Sequence, residues 1–236
     1  MDMAERLVSW DWSLLLFLNG SDYAFVDEVF WAMTKTATWL PLFVVLFYAI
    51  LRNNDLRHTM ILVLLLAILV ASTDMFTSGF CKPFFHRLRP SHNPELIAAL
   101  KVVKGYRGGM YGFMSSHAAN TFAVAMFLTL LFRSRMAAFT LFLWASLSSY
   151  SRMYLGVHYP TDILCGATTG FLFSTILYYV YAKFPMLSAG MKSQDDAKGN
   201  LVGYRHADMK LIPITFALTI IYVMVRAAWL ACMPCT

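Results

Sequence analysis

Long runs of apolar residues, broken by short polar stretches, dominate the pattern of this 236-residue chain. A hydrocarbon core about 30 Å thick is crossed by about 20 mostly apolar helical residues, and several runs approach that length. The predicted spans are residues 36–51, 59–80, 117–132, 136–150, 162–184 and 211–230. The pattern therefore predicts an all-α, polytopic membrane bundle with about six transmembrane helices.

The first 35 residues do not contain an apolar run long enough to cross a membrane. Trp10 and Trp12 stand beside charged residues, as in helices that lie in the membrane interface. A basic leader and a small-residue cleavage site are missing, so we expect this segment to be retained as an interfacial helix. Residues 191–210 form the one clearly polar linker, and residues 1–236 are predicted to form a single membrane domain.

Composition agrees with a membrane location, because 59% of the residues are hydrophobic, 16% aromatic and only 14% charged. A soluble domain has about 25% charged residues. The bilayer is therefore the expected environment, and neither a nucleic-acid partner nor an obligatory protein partner is indicated.

Two polar clusters follow the second predicted span. The first is KPFFHRLRP, in which a helix end would deliver the cations Lys82 and Arg89. The second is FMSSHAAN, in which Ser115, Ser116 and His117 begin the third span. Hydroxyl groups cap helix starts, and the free amide groups there attract anions. Both clusters are suited to binding an anion.

A third polar cluster, SRMYLGVHYPTD, joins the fourth and fifth spans. Arg152 closes one span, and Pro160 suits the first turn of the next helix. Asp162 follows His158 by four residues, within predicted reach of the imidazole ring. This spacing predicts a histidine oriented by a carboxylate.

Together the three clusters supply what phosphoryl transfer requires. Arginine matches phosphate oxygens with a planar fork, and lysine adds a point charge. One histidine can attack phosphorus while another protonates the leaving oxygen. Asp162 is the only carboxylate in the clusters, so we expect no metal and no cofactor.

Each group taken alone has a simpler interpretation. Lys82, Arg87 and Arg89 can be interfacial anchors whose side chains snorkel to the membrane surface. His117 can be a satisfied interfacial histidine, and His158 with Asp162 a turn followed by a helix cap. However, all three polar clusters lie on one membrane face, and together they favour a phosphate-binding site.

The connections between alternating spans fall on two faces. Loops 52–58, 133–135 and 183–210 share one face, with nine Lys and Arg, and the three clusters share the other, with ten. The candidate site requires Lys82, Arg89 and Arg152, so these three cations do not report the preferred orientation. Without them, the number of Lys and Arg on the second face becomes seven. Because basic residues prefer the cytoplasmic side, the clusters are predicted to face the periplasm or exterior of a bacterial inner membrane.

The pattern K-x6-R-P, S-x-H and S-R-x5-H-x3-D, at residues 82–90, 115–117 and 151–162, resembles the type 2 phosphatidic-acid phosphatase family, relatives of vanadium haloperoxidases. The first and third motifs match at every defining position. In the second, the family commonly has P-S-G-H, whereas this chain has Met114 and Ser116 in place of Pro and Gly.

This resemblance implies a membrane lipid phosphatase that works through a phosphohistidine. His158 would be the nucleophile, Asp162 would orient it, and His117 would be the general acid. Water would then hydrolyse the intermediate. The implied phosphate-binding residues are Lys82, Arg89, Ser115, Ser116 and Arg152.

The substrate is expected to be a lipid phosphate, since the site lies at headgroup depth. Undecaprenyl diphosphate is the leading hypothesis, with lipid A, phosphatidylglycerol phosphate and phosphatidic acid as alternatives. A non-enzymatic scaffold or flippase is a different class that would tolerate loss of either histidine. A phosphatase for small soluble substrates is a third, and it would lack a lipid cleft.

Three other features complete the predictions. Asp74, inside the second span, is expected to be a buried structural partner for a polar group on another helix. The C-x-x-C of Cys232 and Cys235 has no thioredoxin-like context, so no redox role is expected. Residues 101–112 mix cations, aromatics and glycines, which suits a headgroup pocket or a lid.

Overall fold

The computed structural model describes residues 3–184, 194–195, 201–202 and 204–233. Its helices are α1 Met3–Leu18, α2 Ala24–Met33, α3 Leu40–Asn53, α4 Leu56–Asp74, α5 Lys82–Phe85, α6 Ser116–Phe132, α7 Arg135–Tyr154, α8 Pro160–Lys183 and α9 His206–Ala231. A π-helical segment, Met75–Cys81, joins α4 to α5. Short 3-10 turns occupy Thr36–Trp39, Pro90–His92 and Val103–Gly105. Gln194–Asp195 pairs antiparallel with Leu201–Val202.

Large apolar side chains cover the outside of the helices. Val44 is 64% exposed, Leu64 60% and Ile221 58%. Such a surface is unfavourable in water and natural in lipid. Thr36–Asn53, Leu56–Phe85, Pro160–Lys183 and His206–Ala231 are long and apolar enough to cross a bilayer. The chain is thus an all-α membrane bundle, as its hydropathy pattern predicts.

Each predicted span coincides with a helix, although the ends differ. The second extends to Leu56 because the Asp55 side chain caps the helix, accepting a 2.6 Å hydrogen bond from the His58 amide. The fourth extends to Tyr154, since the helical backbone continues through polar residues where the hydropathy pattern stops. α6 and α7 complete the predicted set of six, and the number of helices that cross the membrane stays a prediction.

The crossing of α6 and α8 sets the position of the site. A Cβ atom on Gly166 would lie 2.4 Å from the Ser115 carbonyl oxygen, and one on Gly170 2.4 Å from that of Ala119. Only glycine permits this approach of the two backbones, as in small-residue packing of membrane helices. The Ser115 amide consequently donates to the Asp162 carbonyl at 3.1 Å. The N-termini of α6 and α8 are thereby brought together.

A polar seam joins α4 and the π-helical segment to α6. The Thr73 hydroxyl donates to Oδ1 of Asn120 at 2.6 Å, and the Thr77 hydroxyl to Oγ of Ser116 at 2.8 Å. Such hydrogen bonds between helices compensate for polar groups placed inside the membrane. The seam fixes the end of α4, and with it Lys82, against the start of α6.

The N-terminal segment comprises two helices, α1 and α2. On α1, Asp11 is 1% exposed and Leu15 is fully buried, while Phe17 is 83% exposed. This division agrees with a helix that lies against the bundle, and the interfacial location of residues 1–35 stays a prediction. Most of the predicted 191–210 linker, and Cys235, lie outside the described residues.

Candidate active site

His158 lies between a carboxylate and a guanidinium group. Its Nδ1 is 3.3 Å from Oδ2 of Asp162, and its Nε2 is 2.9 Å from Nη1 of Arg89. His158 is 2% exposed and Asp162 is fully buried. The predicted reach from Asp162 to the imidazole is therefore present in the structure.

The neighbours of His158 determine its tautomer. Arginine only donates hydrogen bonds, so Nε2 must be the acceptor, and Nδ1 then carries the hydrogen that faces Asp162. Burial and then the charge of Arg89 hold the pKa of the His158 imidazole well below its usual value. A neutral ring with an unprotonated Nε2 is the state expected of a nucleophile.

Asp162 is held by groups outside the predicted motif positions. Its Oδ1 accepts a 2.8 Å hydrogen bond from Nη1 of Arg87, and its Oδ2 caps the helix by accepting from the Tyr159 amide at 3.1 Å. Nη2 of Arg87 donates in turn to Oδ2 of Asp11 at 2.6 Å. Asp11 also accepts from the Thr161 amide at 2.9 Å. The N-terminal helix is thus tied to the site.

Arg87 and Asp11 are the site residues that sequence reasoning did not assign. Two features of the sequence indicate them. Arg87 and Arg89 are two residues apart, so their side chains share one side of an extended strand. Asp11 is a carboxylate between two tryptophans on α1. An isolated bridge pairs Leu88 with Tyr111, and Arg89 N donates to Met110 O at 2.9 Å. This pairing keeps the backbone between the two arginines extended.

The glycine-rich loop of residues 101–112 lies over Arg89. A Cβ on Gly112 would come within 3.1 Å of both Cγ of Arg89 and Oδ2 of Asp162. Gly108 has a φ of +67° and faces the Arg89 guanidinium, so two separate reasons favour glycine there. The predicted headgroup-pocket loop therefore forms one wall of the site.

Lys82 enters the site as the first residue of α5, directly after the π-helical segment. Its Nζ donates to Oγ of Ser116 at 2.8 Å and to Oγ of Ser78 at 2.9 Å. The two serine hydroxyls lie 2.7 Å apart. Ser116, which replaces the glycine common in the resembled family, thus holds the lysine at the N-terminus of α6.

Arg152 forms the opposite wall. Its Nη1 donates to Oγ1 of Thr34 at 2.7 Å, and Nη2 donates to the Tyr106 hydroxyl at 3.3 Å. Burial and then the charge of Arg152 lower the pKa of the Arg89 guanidinium. The two cations are therefore close enough to repel each other, which an anion between them would relieve.

Several buried side-chain nitrogen atoms of the site lack a hydrogen-bond partner among the described residues. They are Nε of Arg89, Nε of Arg152 and Nε2 of His117. Leaving such groups unpaired costs about 1–3 kcal/mol each, so they indicate a ligand. His117 also lines a cavity of about 260 Å³ together with Asn120 and Trp144.

Ser115 has a structural position. Its hydroxyl caps α6 by accepting from the Ala118 amide at 3.3 Å, and its own amide is bound to Asp162 O. Of the two serines predicted to bind phosphate, Ser115 thus has an amide that is already used within the protein. The amides of Ser116 and His117 begin the helix, where intrahelical acceptors are lacking.

The prediction for Asp74 is wrong. Asp74 is exposed, and its Oδ1 accepts a 3.3 Å hydrogen bond from Ser78 of the same helical segment instead of a group on another helix. Within the described residues, clusters of three or more His, Cys, Asp or Glu that could hold a metal ion are absent. Cys232 is a free thiol.

The fold and the site define a membrane-embedded phosphatase with a histidine–carboxylate pair among cations. The model of the PAP2 superfamily matches residues 59–186, more than half of the chain. The chain belongs to the PAP2 superfamily, so the resemblance seen in its motifs is confirmed, and it is a lipid phosphate phosphatase.

Two curated relatives match nearly the whole chain. A lipid A 4'-phosphatase of Bacteroides thetaiotaomicron is 36% identical over 228 residues, which is 95% of this chain and all of the relative. A lipid A 4'-phosphatase of Porphyromonas gingivalis is 32% identical, covering 91% of this chain and 92% of the relative. These similarities support lipid A, one of the alternative substrates, better than undecaprenyl diphosphate.

Solved structures share the fold at lower identity. A PAP2 type phosphatidylglycerolphosphate phosphatase from Bacillus subtilis superposes with a TM-score of 0.58 at 21% identity, covering 76% of this chain and 88% of that one. Aquifex aeolicus LpxE superposes with a TM-score of 0.52 at 22% identity, covering 71% and 93%. Both likenesses concern the fold alone.

Proposed function

We propose that this protein removes the 4'-phosphate of lipid A by way of a phosphohistidine on His158. The observation that carries the mechanism is the pairing of the buried His158 with Asp162 and Arg89 beside unpartnered donors of Arg89 and Arg152. A phosphate group satisfies those donors and brings phosphorus next to Nε2. The two lipid A 4'-phosphatase relatives support the substrate.

The first step forms a P–N bond and breaks a P–O bond. Nε2 of His158 attacks phosphorus, while Asp162 stabilises the positive charge that develops on the ring. Protonated His117 donates its proton to the leaving sugar oxygen. The phosphate oxygens are bound by Lys82, Arg89, Arg152 and the amides at the start of α6.

The second step returns the enzyme to its starting state. His117, now neutral, accepts a proton from water, and the hydroxide oxygen attacks phosphorus. The P–N bond breaks, inorganic phosphate leaves, and Nε2 of His158 regains its lone pair. All proton transfers use side chains of the site, so we expect activity to survive EDTA.

A panel of lipids tests the substrate. Purified protein in detergent is given lipid A, undecaprenyl diphosphate, phosphatidylglycerol phosphate and phosphatidic acid at equal surface fractions, with a water-soluble phosphomonoester for comparison. We expect the highest kcat/KM for lipid A, with phosphate lost from its 4' position. Faster release from undecaprenyl diphosphate would restore that hypothesis, and binding without release from any lipid would favour a scaffold.

We further propose that the site faces the periplasm of the inner membrane, and that the 52–58 loop and the 191–210 linker face the cytoplasm. The corrected count of basic residues supports this orientation. Single cysteines at exposed Glu95 and exposed Arg57, in a background without native cysteines, are labelled in intact cells by an impermeant thiol reagent. Labelling at residue 95 alone is expected, and labelling at residue 57 alone would reverse the orientation.

A further inference from the structure

A second cavity lies beside the site, between the start of α3 and the C-terminal half of α9. It has a volume of about 620 Å³. Leu40, Pro41, Leu218 and Tyr222 supply mostly apolar walls. We call this cavity the α3–α9 groove. Its walls suit the apolar part of a lipid molecule.

Two cations occupy the groove. Lys35 is exposed and lies over the Trp31 ring, with Nζ 5.0 Å from the centroid, and Arg226 is half-buried on α9. Within the part of the chain that the structure describes, neither forms an ion pair with a carboxylate. Arg226 lies on the apolar helix α9, where a cation costs free energy unless something compensates for it. An apolar groove with two cations complements an anionic amphiphile.

The groove lies next to the phosphate site. Lys35 directly follows Thr34, whose hydroxyl accepts the 2.7 Å hydrogen bond from Arg152. The 3-10 turn Thr36–Trp39 forms the partition: Thr36 and Trp39 line the cavity that contains His117, while Thr38 lines the groove. One ligand can therefore contact both cavities by crossing a single short turn.

We infer that the α3–α9 groove binds the second phosphate of a bisphosphorylated glycolipid substrate, with Lys35 and Arg226 as its ligands. This inference rests on the proposed function, because lipid A carries phosphates at the two ends of a disaccharide. The 4'-phosphate lies at His158, its sugar occupies the His117 cavity, and the other phosphate reaches the groove. Lys35 and Arg226 would then determine specificity without entering the chemistry.

The kinetic test compares two lipids and two enzymes. The lipids are lipid A with both phosphates and lipid A that keeps only the 4'-phosphate. The double variant Lys35→Gln/Arg226→Gln is compared with wild type, and Lys210→Gln, a cation near the other end of α9, is the matched control. We expect wild type to prefer the bisphosphorylated lipid by about tenfold in KM, and the double variant to lose that preference with kcat unchanged.

A binding test separates this inference from the proposed function. His158→Ala cannot turn over, so the dissociation constants of both lipids are measured with the groove intact and with the double substitution. We expect about tenfold tighter binding of the bisphosphorylated lipid only with the groove intact. Equal binding of the two lipids would overturn the inference, even if wild type releases phosphate. Failure of wild type to release phosphate while the binding preference persists would overturn only the proposed function.

The same measurements test whether a phospholipid of the bilayer occupies the groove instead. Phosphatidylglycerol and phosphatidylcholine are added to the micelles in turn. If phosphatidylglycerol changes activity through Lys35 and Arg226 while the preference between the two lipid A forms is absent, the groove binds a bystander lipid and the inference is wrong. Unfolding temperatures of the variants in detergent, expected to match wild type, confirm that the substitutions act locally.

Discussion

The two ends of the helical bundle both bury polar side chains, but they balance charge differently. At the end away from the site, Asn53 donates to Oδ2 of Asp208 at 2.9 Å, and Nε of Arg52 lies 3.6 Å from Oδ1 of the same carboxylate. His58 bonds the Tyr181 hydroxyl at 2.8 Å. These contacts pair one cation with one carboxylate, and they tie helices together.

At the site end, cations exceed the carboxylates they contact. Asp11 and Asp162 are both bound by Arg87, which leaves Lys82, Arg89 and Arg152 without a carboxylate in contact among the described residues. Excess buried charge is costly and is retained where a ligand neutralises it. Unbalanced charge, rather than buried polarity, therefore distinguishes the end that holds the candidate active site.

Two histidines at opposite ends provide the largest contrast. His158→Ala should lower kcat by about 10⁴-fold or more, because no other group can take the place of the nucleophile. His58→Ala, its matched control, should keep kcat within about twofold and lower stability by about 1–2 kcal/mol through the lost Tyr181 contact. Phosphate release and detergent unfolding curves measure both. A normal rate in His158→Ala would remove His158 from the mechanism.

His117 should show an effect that depends on the leaving group. His117→Ala should slow release from a sugar phosphate by about 10²–10⁴-fold, since the leaving alkoxide needs a proton. The phenolate of an aryl phosphate leaves without a proton, so His117→Ala should slow the first step much less with that substrate. The comparison uses single-turnover kinetics of the two substrates. Equal losses for both would mean that His117 does not protonate the leaving oxygen.

Asp11 acts through Arg87, and its effect should be smaller. Asp11→Asn keeps an oxygen that accepts from the Thr161 amide but weakens the ion pair with Arg87. We expect kcat to fall about tenfold with KM nearly unchanged, because Asp162 is less firmly oriented. Asp22→Asn, on the exposed part of the same N-terminal segment, is the control. A KM increase without a kcat decrease would assign Asp11 to substrate binding.

The pH profile tests the charge around His158. Because the pKa of His158 is held below its usual value, the nucleophile stays neutral at mildly acidic pH, and the acid limb of activity appears only as pH falls through that lowered pKa. Arg89→Gln removes a positive charge beside the ring, so the pKa should rise and the acid limb of kcat/KM should move to higher pH. An acid limb that stays in place would contradict this electrostatic role.

The sequence was sufficient to predict the membrane helices and the contact between His158 and Asp162. Apolar runs identify helices, and fixed spacings within a turn place Asp162 near His158 regardless of the rest of the fold. The order of spans also put Lys82, His117 and His158 on one face. These features are local or follow from simple alternation, so they need no knowledge of packing.

Contacts between distant segments were beyond the sequence. Arg87 and Asp11 are 76 residues apart and meet only because the loop after α5 folds back over α8. Asp74 was misplaced because α4 is apolar on all sides, so its sequence does not indicate which side faces the bundle. The groove cations Lys35 and Arg226 likewise come together only through the packing of α9 beside α3.

The most direct test of the account is to trap the phosphoryl group on the enzyme. Lipid substrate labelled in its phosphate is mixed with enzyme, quenched within one turnover in alkaline denaturant, where phosphohistidine survives, and the protein is digested and mapped. We expect label on the peptide that contains His158, and no label in His158→Ala. Label on His117 instead, or a lag-free release of phosphate without any labelled protein, would contradict it.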